Sequence, residues 1–144
     1  MDKGARPNLF PFLILRALGD VFRMNILGYQ IGKAELLSMT IFTVGCIVDH
    51  VTTYYGLSIP TVKEINPVVL LLIGSGLWNL VEIILIAAGN GSGLVISGSK
   101  SKIMITCSIT ALLTAGIIRL SAGFHNMMII FNTLRMLELS SSVI

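Results

Sequence analysis

Three ionisable side chains, Asp49, Glu82 and Arg119, lie within long apolar runs of this sequence. A charge in hydrocarbon is costly, so such residues usually pair with one another, line an ion path or join subunits. Asp49 is followed by Thr52 and Thr53 on the next helical turn, where hydroxyl groups are available as hydrogen-bond donors. We therefore predict an intramembrane polar clamp in which Asp49 pairs with Arg119 beside the two threonines. A packing role without chemistry is the alternative interpretation of the same four residues.

Glu82 has a second polar residue, Asn79, one helical turn before it. A carboxyl group near the end of a membrane helix can be reached by water, so Glu82 is a candidate proton carrier with Asn79 as its neighbour. The alternative is that both side chains form hydrogen bonds that hold helices together.

The two histidines, His50 and His125, are weak candidates for metal ligands together with Asp49 and Glu64, because zinc and related ions accept imidazole and carboxylate ligands. The sequence has no ligand pair at a fixed spacing such as HExxH, and no GxSxG nucleophile motif. We therefore predict no metal, no cofactor and no catalytic residue.

The composition is that of a membrane protein. Of 144 residues, 54% are hydrophobic and only 12% are charged, and the mean hydropathy is +0.89, whereas about a quarter of the residues in a soluble domain are charged. The net charge of +3 comes without an aromatic and basic surface pattern, so nucleic-acid binding is not expected.

The apolar residues gather into runs near the roughly 20 residues that a helix needs to cross a bilayer. The sequence predicts an all-α polytopic integral membrane protein with three transmembrane helices, or four if the last one breaks near Gly123. The predicted spans are residues 34–57, 67–88 and 103–136. They form a membrane domain over residues 34–137, followed by a short tail, 138–144.

Local signals predict where the second span begins and which segment follows it. Asn66 can cap a helix, Pro67 suits its first position, and Glu64 lies just ahead of the positive end of the helix dipole. The glycine and serine residues of segment 89–102 predict a connecting loop.

The segment before the first span, residues 1–33, is predicted to be cytoplasmic and interfacial. Within it, residues 8–31 have an amphipathic pattern that predicts a helix lying in the membrane surface, and a weakly hydrophobic span is the alternative. The polar stripe of that helix consists of Arg16, Asp20, Arg23 and Gln30. Most lysines and arginines flank the spans on the side of the N-terminus, which predicts a cytoplasmic N-terminus in the cell membrane.

Part of this pattern resembles a family of small prokaryotic three-span membrane proteins defined only as domain of unknown function 5658. Its hallmark is Asp-x-x-Thr-Thr followed by Glu-x-Asn-Pro, and the resemblance covers about residues 36–136. The matching residues are Asp49, Thr52, Thr53, Gly56, Glu64, Asn66 and Pro67. The sequence departs from the family at Glu82, where its members often carry lysine. The resemblance implies a three-span fold and no particular activity.

These features together predict a non-enzymatic scaffold or accessory subunit of a membrane assembly. A small transporter or channel component that acts as an oligomer, using Asp49, Glu82 and Arg119, is the second possibility, because three spans alone enclose little space. A membrane-embedded enzyme is the third. The expected partners are the lipid bilayer and either further copies of the chain or subunits of a membrane complex.

Overall fold

The computed structural model describes residues 23–26 and 29–141, which form a short hairpin followed by four helices. Three of the helices, those that begin at Lys33, Trp78 and Lys102, are long and apolar enough to cross a membrane, which is the number that the sequence predicts. The elements are β1 Arg23–Ile26, β2 Tyr29–Gly32, α1 Lys33–Leu57, α2 Pro67–Gly74, α3 Trp78–Ser97 and α4 Lys102–Ser141.

The hairpin takes the place of the last part of the predicted amphipathic helix. Arg23–Ile26 pairs antiparallel with Tyr29–Gly32, so the prediction of a helix over residues 8–31 is wrong for residues 23–26 and 29–31. Residues 8–22, including Arg16 and Asp20, lie outside the described residues. Glycine at positions 28 and 32 disfavours a helix, and isoleucine and tyrosine nearby favour a strand. The side chain of Ile31 is buried, and β2 packs against α3.

α1 and α4 form the most extensive helix pair and run in the same direction. Gly45 of α1 lies against Gly116 of α4, and Gly56 lies against Ile130. Since the contacting residues advance together along both helices, the pair is parallel. α3 runs the opposite way, because its end near Gly93 contacts the start of α1.

Glycine allows the backbones of α1 and α4 to approach closely. A Cβ atom added at Gly116 would lie 2.7 Å from the backbone N of Phe42, and one added at Gly123 would lie 2.7 Å from Cγ1 of Val48. Small residues of this kind are typical of helix contacts in lipid, where hydrophobic burial does not drive association. The core of the bundle lies beside this contact and consists of Met39, Phe42, Cys46 and Leu112, with Ile86, Leu94 and Ala115 at its edge.

The predicted second span, residues 67–88, is divided into two helices. α2 ends at Gly74, and a turn with Gly76 at φ 72° separates it from α3. That left-handed conformation favours glycine, so Gly76 allows the turn that separates the two helices. The segment is hydrophobic throughout, so its hydropathy does not indicate this turn.

The prediction of a loop over residues 89–102 is wrong for residues 89–97, which are the last turns of α3. Gly89 faces the ring of Phe42, and Gly93 faces Met39 and Leu112. Packing of these glycines against α1 and α4 outweighs their low helix propensity. The connector to α4 is therefore only residues 98–101.

α4 is a single helix of 40 residues, about 60 Å long at the usual rise per residue. The alternative of a break near Gly123 is not observed, because Gly123 is buried in the contact with α1. The predicted tail, 138–144, is helical as far as Ser141.

We expect the close contact at Gly116 to govern the stability of the bundle. Gly116→Ala should lower the free energy of unfolding by about 1–3 kcal/mol, because the added methyl group meets the α1 backbone. The control is Gly91→Ala in α3, where an added Cβ would meet nothing within 4 Å. It should leave stability unchanged or raise it by up to about 1 kcal/mol. Unfolding in detergent micelles measures both, and equal effects would contradict the assignment of this contact.

Candidate functional site

Asp49 of α1 and Arg119 of α4 form an ion pair between helices. Arg119 Nη1 donates a hydrogen bond to Asp49 Oδ2 at 2.8 Å. The Asp49 side chain is 15% exposed and that of Arg119 is 26% exposed. The glycine contacts bring the two backbones together at this level, since Gly123 lies beside the backbone of Asp49 and Gly45 lies beside Cβ of Arg119. Pairing offsets much of the cost of removing each charge from water.

Glu82 of α3 is the third charged member of the site. Its Oε1 atom lies 3.6 Å from Arg119 Nη1, and the residue is 4% exposed. This oxygen has no hydrogen-bond partner among the described residues. One guanidinium group therefore faces two carboxyl groups, and the site has a formal charge of −1 when both acids are ionised. Cys46, which is fully buried, lies among these three groups.

Asn126 of α4 connects the ion pair with the threonines. Its Nδ2 atom donates to Thr53 Oγ1 at 3.0 Å and lies 3.5 Å from both Asp49 Oδ1 and Thr52 Oγ1. Thr52 donates its own hydroxyl to the backbone carbonyl of Val48 at 2.8 Å. The sequence predicts that the threonine hydroxyls are the donors beside Asp49. The structure instead places the amide of Asn126 there, a residue that the sequence analysis missed. Its spacing of seven residues from Arg119 places both on one stripe of α4 and is the signal that identifies it.

Asn79 forms a hydrogen bond with a residue of a neighbouring helix, which is one of the two roles that the sequence suggests for it. The Nε2–H group of His50 in α1 donates to Asn79 Oδ1 at 3.0 Å. The His50 ring also stacks on Trp78, with ring centroids 5.3 Å apart and planes 15° apart. These contacts attach the start of α3 to α1 and give Asn79 a partner other than Glu82.

The residues before the second apolar run form a local helix start. Asn66 Oδ1 accepts a hydrogen bond from the backbone N–H of Val68 at 3.0 Å, and Pro67 is the first residue of α2. The backbone N–H of Asn66 donates to Glu64 Oε1 at 2.7 Å. Glu64, Asn66 and Pro67 thus shape the turn into α2.

The structure does not bring the histidines together as metal ligands. His50 contacts α3, whereas His125 lies beside the segment between α1 and α2. Within residues 23–26 and 29–141, no group of three or more His, Cys, Asp or Glu side chains is arranged to hold a metal ion.

Comparisons of the chain with protein-family models, with curated proteins and with solved structures find no match. The resemblance to domain of unknown function 5658 therefore stays a prediction that depends on the matching residues themselves.

We expect charge reversal at Asp49 and Arg119 to show that the pair acts as a unit. Asp49→Arg or Arg119→Asp alone should each destabilise the protein by about 3 kcal/mol, because an unpaired charge is left in a low-dielectric setting. The double variant should recover part of this loss. Recovery should increase when Glu82→Gln is added, because the swap places a new carboxylate beside Glu82.

Unfolding in detergent measures these effects, and Lys100→Glu, an exposed charge reversal remote in sequence from the ion pair, is the control. A double variant as unstable as the sum of its two single changes would contradict the pairing.

Proposed function

We propose that this chain is a non-enzymatic integral membrane protein that serves as a scaffold or accessory subunit of a membrane assembly. The observation that supports this most directly is the charge cluster, in which Asp49 of α1 and Glu82 of α3 both lie within 3.6 Å of the Arg119 guanidinium group of α4. Such a cluster joins α1, α3 and α4, because moving any one of these helices away removes a contact between opposite charges.

In this proposal α1, α3 and α4 cross the cell membrane, and the N-terminus is cytoplasmic. Three successive crossings require α1 and α4 to be parallel and α3 to be antiparallel to them, which is the arrangement of these helices. Tyr54 and Tyr55 are exposed near the end of α1, and aromatic rings of this kind favour the boundary between lipid and water. Most lysines and arginines flank the opposite side.

The surface around α2 and the start of α3 is where we place a protein partner. No residue of α2 is buried against the part of the chain that the structure describes. A Cβ atom added at Gly74 or Gly76 would meet nothing within 4 Å, so a neighbouring helix has room to approach the backbone there. The large apolar side chains exposed on this surface are Val68, Leu70, Leu71, Ile73, Leu77 and Leu80.

We expect the protein, purified in mild detergent, to migrate as an assembly heavier than the 15.5 kDa of one chain. Native mass spectrometry and identification of co-purifying proteins measure this. Gly74→Leu should release the partner without unfolding the chain, because the added side chain points into open space. Gly91→Leu is the matched control, since its position is equally open but lies outside this surface. A wild-type chain that is monomeric and has no stoichiometric partner would contradict the proposal.

A component of a proton-linked transporter or channel is the second candidate, and it is favoured by the burial of Glu82, whose Oε1 atom accepts no hydrogen bond from the described residues. With two carboxyl groups beside one guanidinium group, the site has a formal charge of −1 when both acids are ionised, and a bound proton would neutralise it. A transporter containing this chain should lose proton-linked uptake in proteoliposomes when Glu82 is changed to Gln, while Glu35→Gln, at the start of α1, should retain it. A scaffold should assemble normally with Glu82→Gln and show no proton flux above empty vesicles.

A further inference from the structure

A cleft of about 240 Å³ lies next to the polar cluster, where α1 and α4 meet the segment between α1 and α2. One side is apolar and is formed by Leu57, Val62, Ile129 and Ile130. Asn126 lines the cleft with the two threonines that it contacts. The cleft therefore extends from the surface of the protein to side chains that contact Asp49.

The cleft has ionisable side chains that the fold does not use. Lys63 and His125 both line it, and the side chain of neither has a hydrogen bond or ion pair with another residue in the described part of the chain. Glu64 lines it as well, and its carboxylate is held in place by the backbone N–H of Asn66. A cation and an anion, on consecutive residues of the chain, thus line the same cleft.

This arrangement suits a ligand with both charges better than a simple ion. A bare phosphate near Lys63 would share the cleft with the Glu64 carboxylate, and a bare amine near Glu64 would share it with the Lys63 ammonium. A zwitterion can place its phosphate toward Lys63 and His125 and its ammonium group toward Glu64. A primary ammonium group can donate hydrogen bonds to a carboxylate, whereas a quaternary one cannot.

The position of the cleft indicates that the zwitterion is a lipid. The cleft lies at the end of α1, at the level of the exposed Tyr54 and Tyr55, where amphipathic rings favour the headgroup region. Its apolar side continues into exposed side chains, among them Ile65, which is 92% exposed, and Ile129. Acyl chains could cover these groups while the headgroup occupies the cleft.

We propose that this cleft binds the headgroup of a phospholipid of the phosphoethanolamine type, in the leaflet opposite to the N-terminus. Bound lipid would join the end of α1, the middle of α4 and segment 58–66. The inference goes beyond the scaffold role and does not require it, because a monomer without any protein partner would have the same cleft.

The test uses the full chain in detergent with three added lipids, phosphatidylethanolamine, phosphatidylcholine and phosphatidylglycerol, and with soluble phosphoethanolamine. Native mass spectrometry measures bound lipid, and thermal unfolding measures its effect on stability. Phosphatidylethanolamine should bind at least about fivefold more tightly than the other two lipids and should raise the midpoint of unfolding. Soluble phosphoethanolamine at the same concentration should not displace it.

Two variants assign the roles within the cleft. Lys63→Gln should weaken binding of phosphatidylethanolamine at least about fivefold, whereas Lys100→Gln, an exposed lysine outside the cleft, should not change it. Glu64→Gln retains an oxygen that can accept from the Asn66 N–H, so the turn should persist while the preference over phosphatidylcholine is lost.

Two results would overturn this proposal. The first is equal binding of the three lipids, with Lys63→Gln indistinguishable from the wild type. The second is displacement by soluble phosphoethanolamine, which would identify a soluble ligand instead of a lipid.

Discussion

The arrangement of the bundle depends on the ion pair between Asp49 and Arg119, whose side chains are mostly buried and have little access to water. They lie on different helices, and their contact at 2.8 Å requires one particular register of α1 against α4. The backbone contact of Gly45 with Gly116 sets that register. Sliding one helix by a single turn would shift the two charges by about 5.4 Å relative to each other and would break their contact. Steric fit and electrostatics therefore select the same arrangement.

α1 is the central helix, because both α3 and α4 attach to it through polar side chains. Asn90 of α3 donates to Thr43 at 2.8 Å, and Asn126 of α4 donates to Thr53 at 3.0 Å. If these helices lie in lipid, as we propose, hydrophobic burial contributes little to their association, and such hydrogen bonds and close backbone contacts determine how they pair. Glu82 differs from these groups because it adds a second acid to a pair that is already complete.

The differences between the sequence predictions and the structure have a common physical origin. Residues 67–88 have the hydropathy of one span, and hydropathy does not register the backbone conformation of Gly76 that divides it. Residues 89–97 have the composition of a loop but are helical, because Gly89 packs against Phe42 of another helix. Local propensity is weak compared with tertiary packing, and it fails where packing decides.

The sequence alone determined three apolar stretches long enough to cross a membrane, two charges that needed partners, and the helix start at Asn66 and Pro67, because length, charge and capping are local properties. Only the tertiary structure decided that Asn126 contacts Asp49, that His50 stacks on Trp78, and that a cleft forms beside Lys63. These contacts join residues far apart in the chain. They depend on how each helix is rotated and shifted relative to its neighbours. The residue pattern of a single helix does not determine this.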